Sequence, residues 1–132
     1  MLSRQMRGLA RGAKMKRIGL IVAALMLTGA STQATPKAYM IAALTVTDAA
    51  AFQKYAPQVT ATLAPFGGHY LARGGRLVVL EEKAPGDRIV VIEFPSMAAA
   101  EAFYKSPEYQ AIAPLRHAAA HGPAFIVEGV AP

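Results

Sequence analysis

The sequence predicts an α+β domain with a ferredoxin-like βαββαβ sandwich, two subunits of which form a dimeric α/β barrel. Three observations lead to this prediction. Strand-like apolar runs and amphipathic helical segments follow one another in the order strand, helix, strand, strand, helix, strand. The pattern is complete within residues 35–132, and several strands carry apolar side chains on both faces. With 54% hydrophobic and 17% charged residues the chain is too apolar for intrinsic disorder, so we expect a packed core.

The first strand and the first helix come from residues 39–66. A continuous and partly β-branched apolar run at 39–46 predicts a buried strand. Asp48 is placed to cap a helix that stops at Gly67, and Pro57 is expected to kink or loosen it because proline has no amide proton. One face of this helix carries apolar residues three and four positions apart, namely Phe52, Tyr55, Val59, Leu63 and Phe66.

The middle of the chain is predicted to be strands joined by turns. His69–Arg73 is a short strand, and Gly74 with Gly75 makes a turn leading into a strand-like run at 76–81. After a turn at 85–87, Arg88–Phe94 is the clearest strand in the sequence.

A second helical region and a last strand complete the pattern. Ser96 is placed to cap a helix that runs to about Lys105. Ser106 begins a further helical segment, which Pro114 is expected to interrupt. Ala124–Glu128 is the last strand.

Apolar side chains on both strand faces predict self-association. A ferredoxin-like sheet has helices on one face only, yet residues 40–44 and 89–92 are apolar at successive positions. An exposed apolar sheet face requires a cover, and a second copy of the chain is its simplest source. We therefore expect a homodimer whose sheets pack face to face.

Residues 1–34 are predicted to be a signal peptide. They contain six basic residues and no acidic residue. Within them, ten apolar residues at 18–27 precede the small and polar residues 28–34. This is the order of a secretory leader, and its apolar core is shorter than the roughly 20 residues that span a bilayer. The expected location is periplasmic or secreted.

The sequence offers more than one start and more than one cleavage site for this leader. Cleavage is expected after Ala34, with Ala30 as the second choice, and translation starting at Met15 would make residues 1–14 a mis-assigned start. The alternatives to a leader are an N-terminal helix of the domain and an uncleaved membrane anchor.

Without the leader the protein is a single neutral domain. Residues 35–132 hold eight basic and eight acidic residues. A neutral domain without tryptophan or a basic aromatic face is not predicted to bind nucleic acid, and leader removal would leave no stable membrane anchor. The sequence has no cysteine, no phosphate-binding glycine loop and no nucleophile elbow, and we expect no cofactor.

Several motifs closely resemble the bacterial family called domain of unknown function 1330. They lie at residues 70–75, 90–96, 103–110 and 114–116, and the resemblance covers about residues 37–130. It implies a dimeric α/β barrel of ferredoxin-like subunits and no particular reaction.

His69 and Arg73 are the first candidate ligand-binding residues. Four positions apart on one strand, they are expected on the same face, where they would hold an anion. The alternative is an edge strand whose solvated charges discourage aggregation.

Acidic residues near strand ends are a second candidate. Glu93 and Glu128 lie on strands that flank the first strand, where they would form an acid–base pair. The alternative is that they are solvated or bonded to Lys37 or Tyr39.

The second helical region holds a third candidate. Tyr109 and Arg116 are expected to line the opening between helices and sheet, with Tyr104 and Gln110 nearby, whereas Ser106 is expected to cap the helix. His117 and His121 are four residues apart but lack further ligands, so we predict no metal site.

These features leave function classes open. The first hypothesis is an exported homodimer that binds a small molecule in its barrel cleft. The second is a cofactor-independent enzyme similar to the small monooxygenases and isomerases with this barrel. The third is a purely structural partner domain.

Overall fold

A computed structural model describes residues 31–132. This part of the chain contains five strands and three helices. Most of the predicted leader lies outside the described residues, so the leader stays a prediction. In chain order the elements are β1 (Ala38–Val46), α1 (Ala49–Leu63) with a 3-10 turn (Ala64–Phe66), β2 (His69–Arg73), β3 (Arg88–Phe94), α2 (Met97–Lys105), α3 (Pro107–Ala119), β4 (Ala120–His121) and β5 (Ala124–Glu128).

The strands form one antiparallel sheet around β1. Strand β3 pairs with β1 along one edge and with β2 along its own other edge. Strand β5 pairs with residues 38–42 of β1, and the short β4 pairs with its last two residues. Read across the sheet, the long strands lie in the order β2, β3, β1, β5. This topology confirms the predicted ferredoxin-like α+β fold.

The helices cover one face of the sheet and enclose the core. Alternate residues of β1, such as Met40 and Leu44, are buried on that face, and the predicted apolar stripe of α1 is buried against it, except for a half-buried Phe66. The Asp48 side chain caps α1 by accepting a hydrogen bond of 3.0 Å from the Ala51 amide. Ser96 caps α2 in the same way, through the Ala99 amide.

The predicted interruption at Pro114 is wrong. Both Pro57 and Pro114 lie inside continuous helices. Each proline is exposed, so the carbonyl that loses its amide partner can be hydrated, and the neighbouring Ile112 and Ala113 remain packed in the core.

The predicted strand at 76–81 is also absent from the structure. Residues 74–87 run along the surface without regular strand structure, and Leu80 is 89% exposed. Apolar β-branched composition favours a strand only where a neighbouring strand supplies hydrogen bonds. Within the described chain no strand lies beside this segment.

The sheet face away from the helices is apolar and only partly covered. Ile41 and Val91 face one another there and are half-buried, while Phe125 and Val127 on β5 are about half exposed. No helix among residues 31–132 packs on this face. We call it the open face below. Within the same residues, no helix combines the length and the apolar character needed to cross a membrane.

Candidate ligand-binding cavity

A cavity of about 270 Å³ lies between the sheet and the helices. Its floor is the helix-facing side of β1 and β3, where Met40, Ala42 and Ile92 contribute apolar side chains. Its walls come from α1, α3 and β5, and include Phe52 and Ile126. These positions face inward because alternate residues of each strand point to the same side of the sheet. The cavity is therefore lined by the same inward-facing side chains that form the core between sheet and helices.

Three arginines line this otherwise apolar cavity. Arg73 comes from β2, Arg88 from β3 and Arg116 from α3. Among the described residues, those lining the cavity include no aspartate or glutamate, and none of the three arginines forms an ion pair. The site thus concentrates positive charge that the described part of the chain does not neutralise.

A β-bulge in β2 determines which of its side chains reach the cavity. Tyr70 pairs with Ile92, but Ala72 pairs with Val91, so one extra residue is accommodated between them. A bulge shifts the alternation of side chains by one position. As a result Tyr70 and Arg73 both face the cavity, and the Arg73 guanidinium lies 4.7 Å from the centre of the Tyr70 ring.

The bulge makes the predicted His69–Arg73 pair wrong. His69 lies opposite Glu93 and faces away from the cavity, whereas Arg73 lies opposite Val90, which faces into it. Equal spacing places two strand residues on one face only when the strand is regular. Arg73 is therefore a cavity residue and His69 is not.

Arg88 was not among the predicted site residues. It pairs with Leu44 in the sheet, and its guanidinium carbon lies 5.0 Å from the centre of the Phe52 ring. The Nε atom of Arg88 is buried and has no hydrogen-bond partner within the described residues. The sequence does indicate its position, because Arg88, Val90 and Ile92 are at alternate positions of β3 and alternate residues lie on the same face of a strand.

Two tyrosine hydroxyls meet at the cavity wall. The Oη atoms of Tyr55 and Tyr109 lie 3.2 Å apart, and either can donate. Burial raises the pKa of Tyr55 well above its usual range, with a further contribution from Tyr109, and the charge of Arg116 opposes the rise. Tyr55 therefore stays protonated, and both tyrosines line the cavity.

Tyr109 and Arg116 occupy the positions predicted for them. They are seven residues apart on α3 and so lie on one side of the helix, facing the cavity. Ser106 holds the start of α3 because its Oγ accepts from the Tyr109 amide at 3.2 Å and donates to the Phe103 carbonyl at 2.7 Å. The Tyr109 ring packs 4.8 Å from the Phe103 ring, centre to centre.

The predicted Glu93 forms an ion cluster on the open face instead. Its Oε1 atom lies 2.9 Å from Lys37 Nζ and 3.3 Å from His69 Nε2. The hydrogen bond from Lys37 holds the pKa of Glu93 below its usual range, and the same contact raises the pKa of Lys37. A bond from Glu93 to Lys37 or Tyr39 was the alternative to an acid–base pair in the sequence analysis, and the Lys37 contact agrees with it.

The predicted pairing of Glu93 with Glu128 is wrong. Glu93 lies opposite Tyr39 of β1, and Glu128 lies opposite the next residue, Ala38. Adjacent strand residues point to opposite faces, so the two carboxylates are separated by the sheet. His117 and His121 are also apart, since α3 ends at Ala119 and His121 belongs to β4.

Fold and cavity together define a class, a small ferredoxin-like α+β domain with an arginine-lined cleft between sheet and helices. The chain belongs to the family named domain of unknown function 1330, whose model matches residues 37–130. A search of curated proteins found none that matches the sequence.

Two solved structures illustrate the fold. A protein of unknown function from Rhodopseudomonas palustris is 18% identical, with a TM-score of 0.61 over 76% of this chain and 88% of that one. SnoaB, a cofactor-independent oxygenase from Streptomyces nogalater, is 14% identical, with a TM-score of 0.54 over 74% of this chain and 97% of its own. At these identities the likeness concerns the fold alone.

Proposed function

We propose that the protein is an exported homodimer that binds a small organic molecule in the cavity between helices and sheet. The observation that carries this proposal is the cavity itself, which is enclosed by apolar side chains and carries a few convergent polar groups. Sites for small molecules usually have this composition and volumes of about 300–1,000 Å³. A volume of about 270 Å³ suits a ligand of one or two rings.

The open face supports the homodimer. Ile41, Val91, Phe125 and Val127 present apolar surface that helices do not cover in the described chain. A two-fold partner offers the same surface in return, so each copy buries the other's exposed groups. The sequence of residues 1–34 supports export, and a fractionation that finds the full-length chain in the cytosol would contradict it.

A second candidate function is that of a cofactor-independent oxygenase. Its support is the Tyr55–Tyr109 hydroxyl pair, a buried polar group at the wall of the cavity, together with the fold shared with SnoaB. An enzyme needs a group that can hold a proton next to its ligand, whereas a binding protein needs only shape and anchors. Oxygen consumption with a bound ligand would favour this candidate, and its absence would favour simple binding.

Indole is a suitable probe for binding in the cavity. The protein contains no tryptophan, so indole fluorescence can be followed without interference. We expect a blue shift of indole emission on addition of the purified protein. Ala56→Phe adds a ring at the cavity wall on α1 and is expected to abolish the shift.

The matched control for Ala56→Phe is Ala50→Phe. Ala50 lies on the same helix but is exposed and lies outside the cavity. It is expected to bind indole like the unmodified protein. If both variants bind indole normally, the cavity is not the ligand site.

A further inference from the structure

We infer that the natural ligand of the cavity is a small aromatic carboxylate, whose charged group is bound by Arg88. The inference rests on the proposed function and adds the chemical class of the ligand. It follows from three features of the cavity, namely its charge, the unpartnered donor of Arg88 and the flat aromatic side chains beside it.

The charge of the cavity selects for an anion. Arg73, Arg88 and Arg116 each bring a positive charge to the cavity. Arg73 is exposed, Arg88 and Arg116 are half-buried, and none of them has an acidic partner among the described residues, so each can pair with a bound anion. Within the described residues Arg73 makes one long hydrogen bond, 3.4 Å to the Thr60 hydroxyl, besides its contact with the Tyr70 ring, and the hydrogen-bond partner of Arg116 is His117, at 2.9 Å. A bound anion would supply the missing negative charge.

Arg88 is the arginine best prepared to bind that anion. Its Nε–H is buried and makes no hydrogen bond inside the described chain, so the guanidinium has donor capacity that the chain does not use. Stacking on the Phe52 ring orients the guanidinium. The planar guanidinium of an arginine that lines the cavity offers N–H groups that bind both oxygens of a carboxylate.

The remaining walls favour a flat aromatic body on the carboxylate. Phe52, Phe103 and Tyr104 contribute ring faces and edges, and Met40 with Ile126 contributes aliphatic surface. The Tyr55–Tyr109 pair has two hydroxyl protons and uses one between its own oxygens, so one remains for a polar atom of the ligand.

Indole-3-carboxylate and indole-3-carboxamide test this inference, because they are nearly identical in shape and differ in charge. We expect the protein to bind the carboxylate roughly 10- to 100-fold more tightly, as charge-assisted hydrogen bonds to a half-buried guanidinium predict. The Arg88→Met variant is expected to lose this preference while still binding the carboxamide. Arg76→Met removes the same charge from the exposed segment outside the cavity and is expected to keep it.

The outcomes separate the two proposals. Equal affinity for carboxylate and carboxamide, in a protein that binds indole, would overturn the inference and leave the proposed binding function intact. Binding of none of the three compounds would overturn the proposed function itself. If Arg88→Met does not fold, as judged by circular dichroism, Arg88→Gln is the second variant, and an unchanged preference in it would overturn the inference.

Discussion

Gly74 is predicted to be required for the position of Arg88, and replacing it with alanine tests that requirement. Gly74 directly follows β2 and has a φ of +64°, a left-handed conformation that favours glycine. A methyl group at this residue would collide with the Arg88 guanidinium, with Cζ only 2.7 Å away. The Gly74 amide also donates to the Ile89 carbonyl at 2.8 Å, so the backbone cannot easily move away.

The expected loss of stability for Gly74→Ala is about 1–2 kcal/mol, the usual cost of a left-handed conformation for a residue with a side chain. In a domain of this size that corresponds to a fall in Tm of roughly 4–16 °C. Because the methyl group displaces Arg88, the preference for indole-3-carboxylate over its amide should fall as well. Thermal unfolding followed by circular dichroism and fluorescence titration measure the two effects.

Gly75→Ala is the matched control for this prediction. An added methyl group at Gly75 meets no atom within 4 Å, and its φ is not left-handed. The substitution should therefore change stability by less than about 0.5 kcal/mol and leave ligand preference unchanged. If the two variants are equally stable and bind the carboxylate alike, Arg88 is not held in place by the turn.

Four further predictions follow from single contacts. Phe103→Ala removes a fully buried ring between Phe94 and Tyr109 and should lower the free energy of unfolding by about 3–5 kcal/mol in urea titrations. Tyr109→Phe leaves the Tyr55 hydroxyl without its partner and should destabilise by about 1–3 kcal/mol, and the double variant with Tyr55→Phe by less than the sum of both single changes. The pKa of Glu93 is lowered in the folded state, so its contribution to the free energy of unfolding is complete above the unfolded pKa of about 4.3. This contribution is lost as the pH falls through the folded pKa, and Glu93→Gln should therefore remove part of the acid destabilisation. Val127→Lys on the open face should convert a homodimer into monomers in light scattering, whereas Val130→Lys, at a 95% exposed site, should not.

Each of these has a result that would contradict it. A loss near zero for Phe103→Ala would mean that the ring is not part of the core. Additive tyrosine substitutions would mean that the two hydroxyls do not interact. An unchanged acid limb in Glu93→Gln would argue against the ion pair with Lys37, and dimers that persist in Val127→Lys would argue against the open face as the interface.

The topology was predictable from the sequence because hydrophobic spacing reports which side of an element is buried. The continuous apolar run of β3 and the apolar stripe of α1 correctly indicated the sheet and its helical layer. The strand predicted at 76–81 failed because propensity does not supply a pairing partner. Pro114 failed as a helix breaker because packing on the buried side of α3 holds the helix together.

The site was predicted in part. Tyr109, Arg116 and Arg73 do line the cavity. His69 was misplaced, because a bulge in β2 reverses the direction of side chains on either side of it, and a single sequence does not mark where the extra residue lies. Glu93 was misplaced because it lies opposite Tyr39 while Glu128 lies opposite Ala38, so the two carboxylates point to opposite faces of the sheet. Arg88 was overlooked although strand alternation places it beside Val90, since a charge at the start of a strand usually reaches solvent.

The Nε–H resonance of Arg88 reports most directly on ligand binding in the cavity. In ¹⁵N-labelled protein its cross-peak can be followed during titration with indole-3-carboxylate, with Arg76 as an exposed reference. We expect the Arg88 signal to shift downfield and saturate with the affinity measured by fluorescence, while that of Arg76 stays in place. A carboxylate that binds without moving the Arg88 signal, or that moves both signals alike, would contradict binding at Arg88 in the cavity.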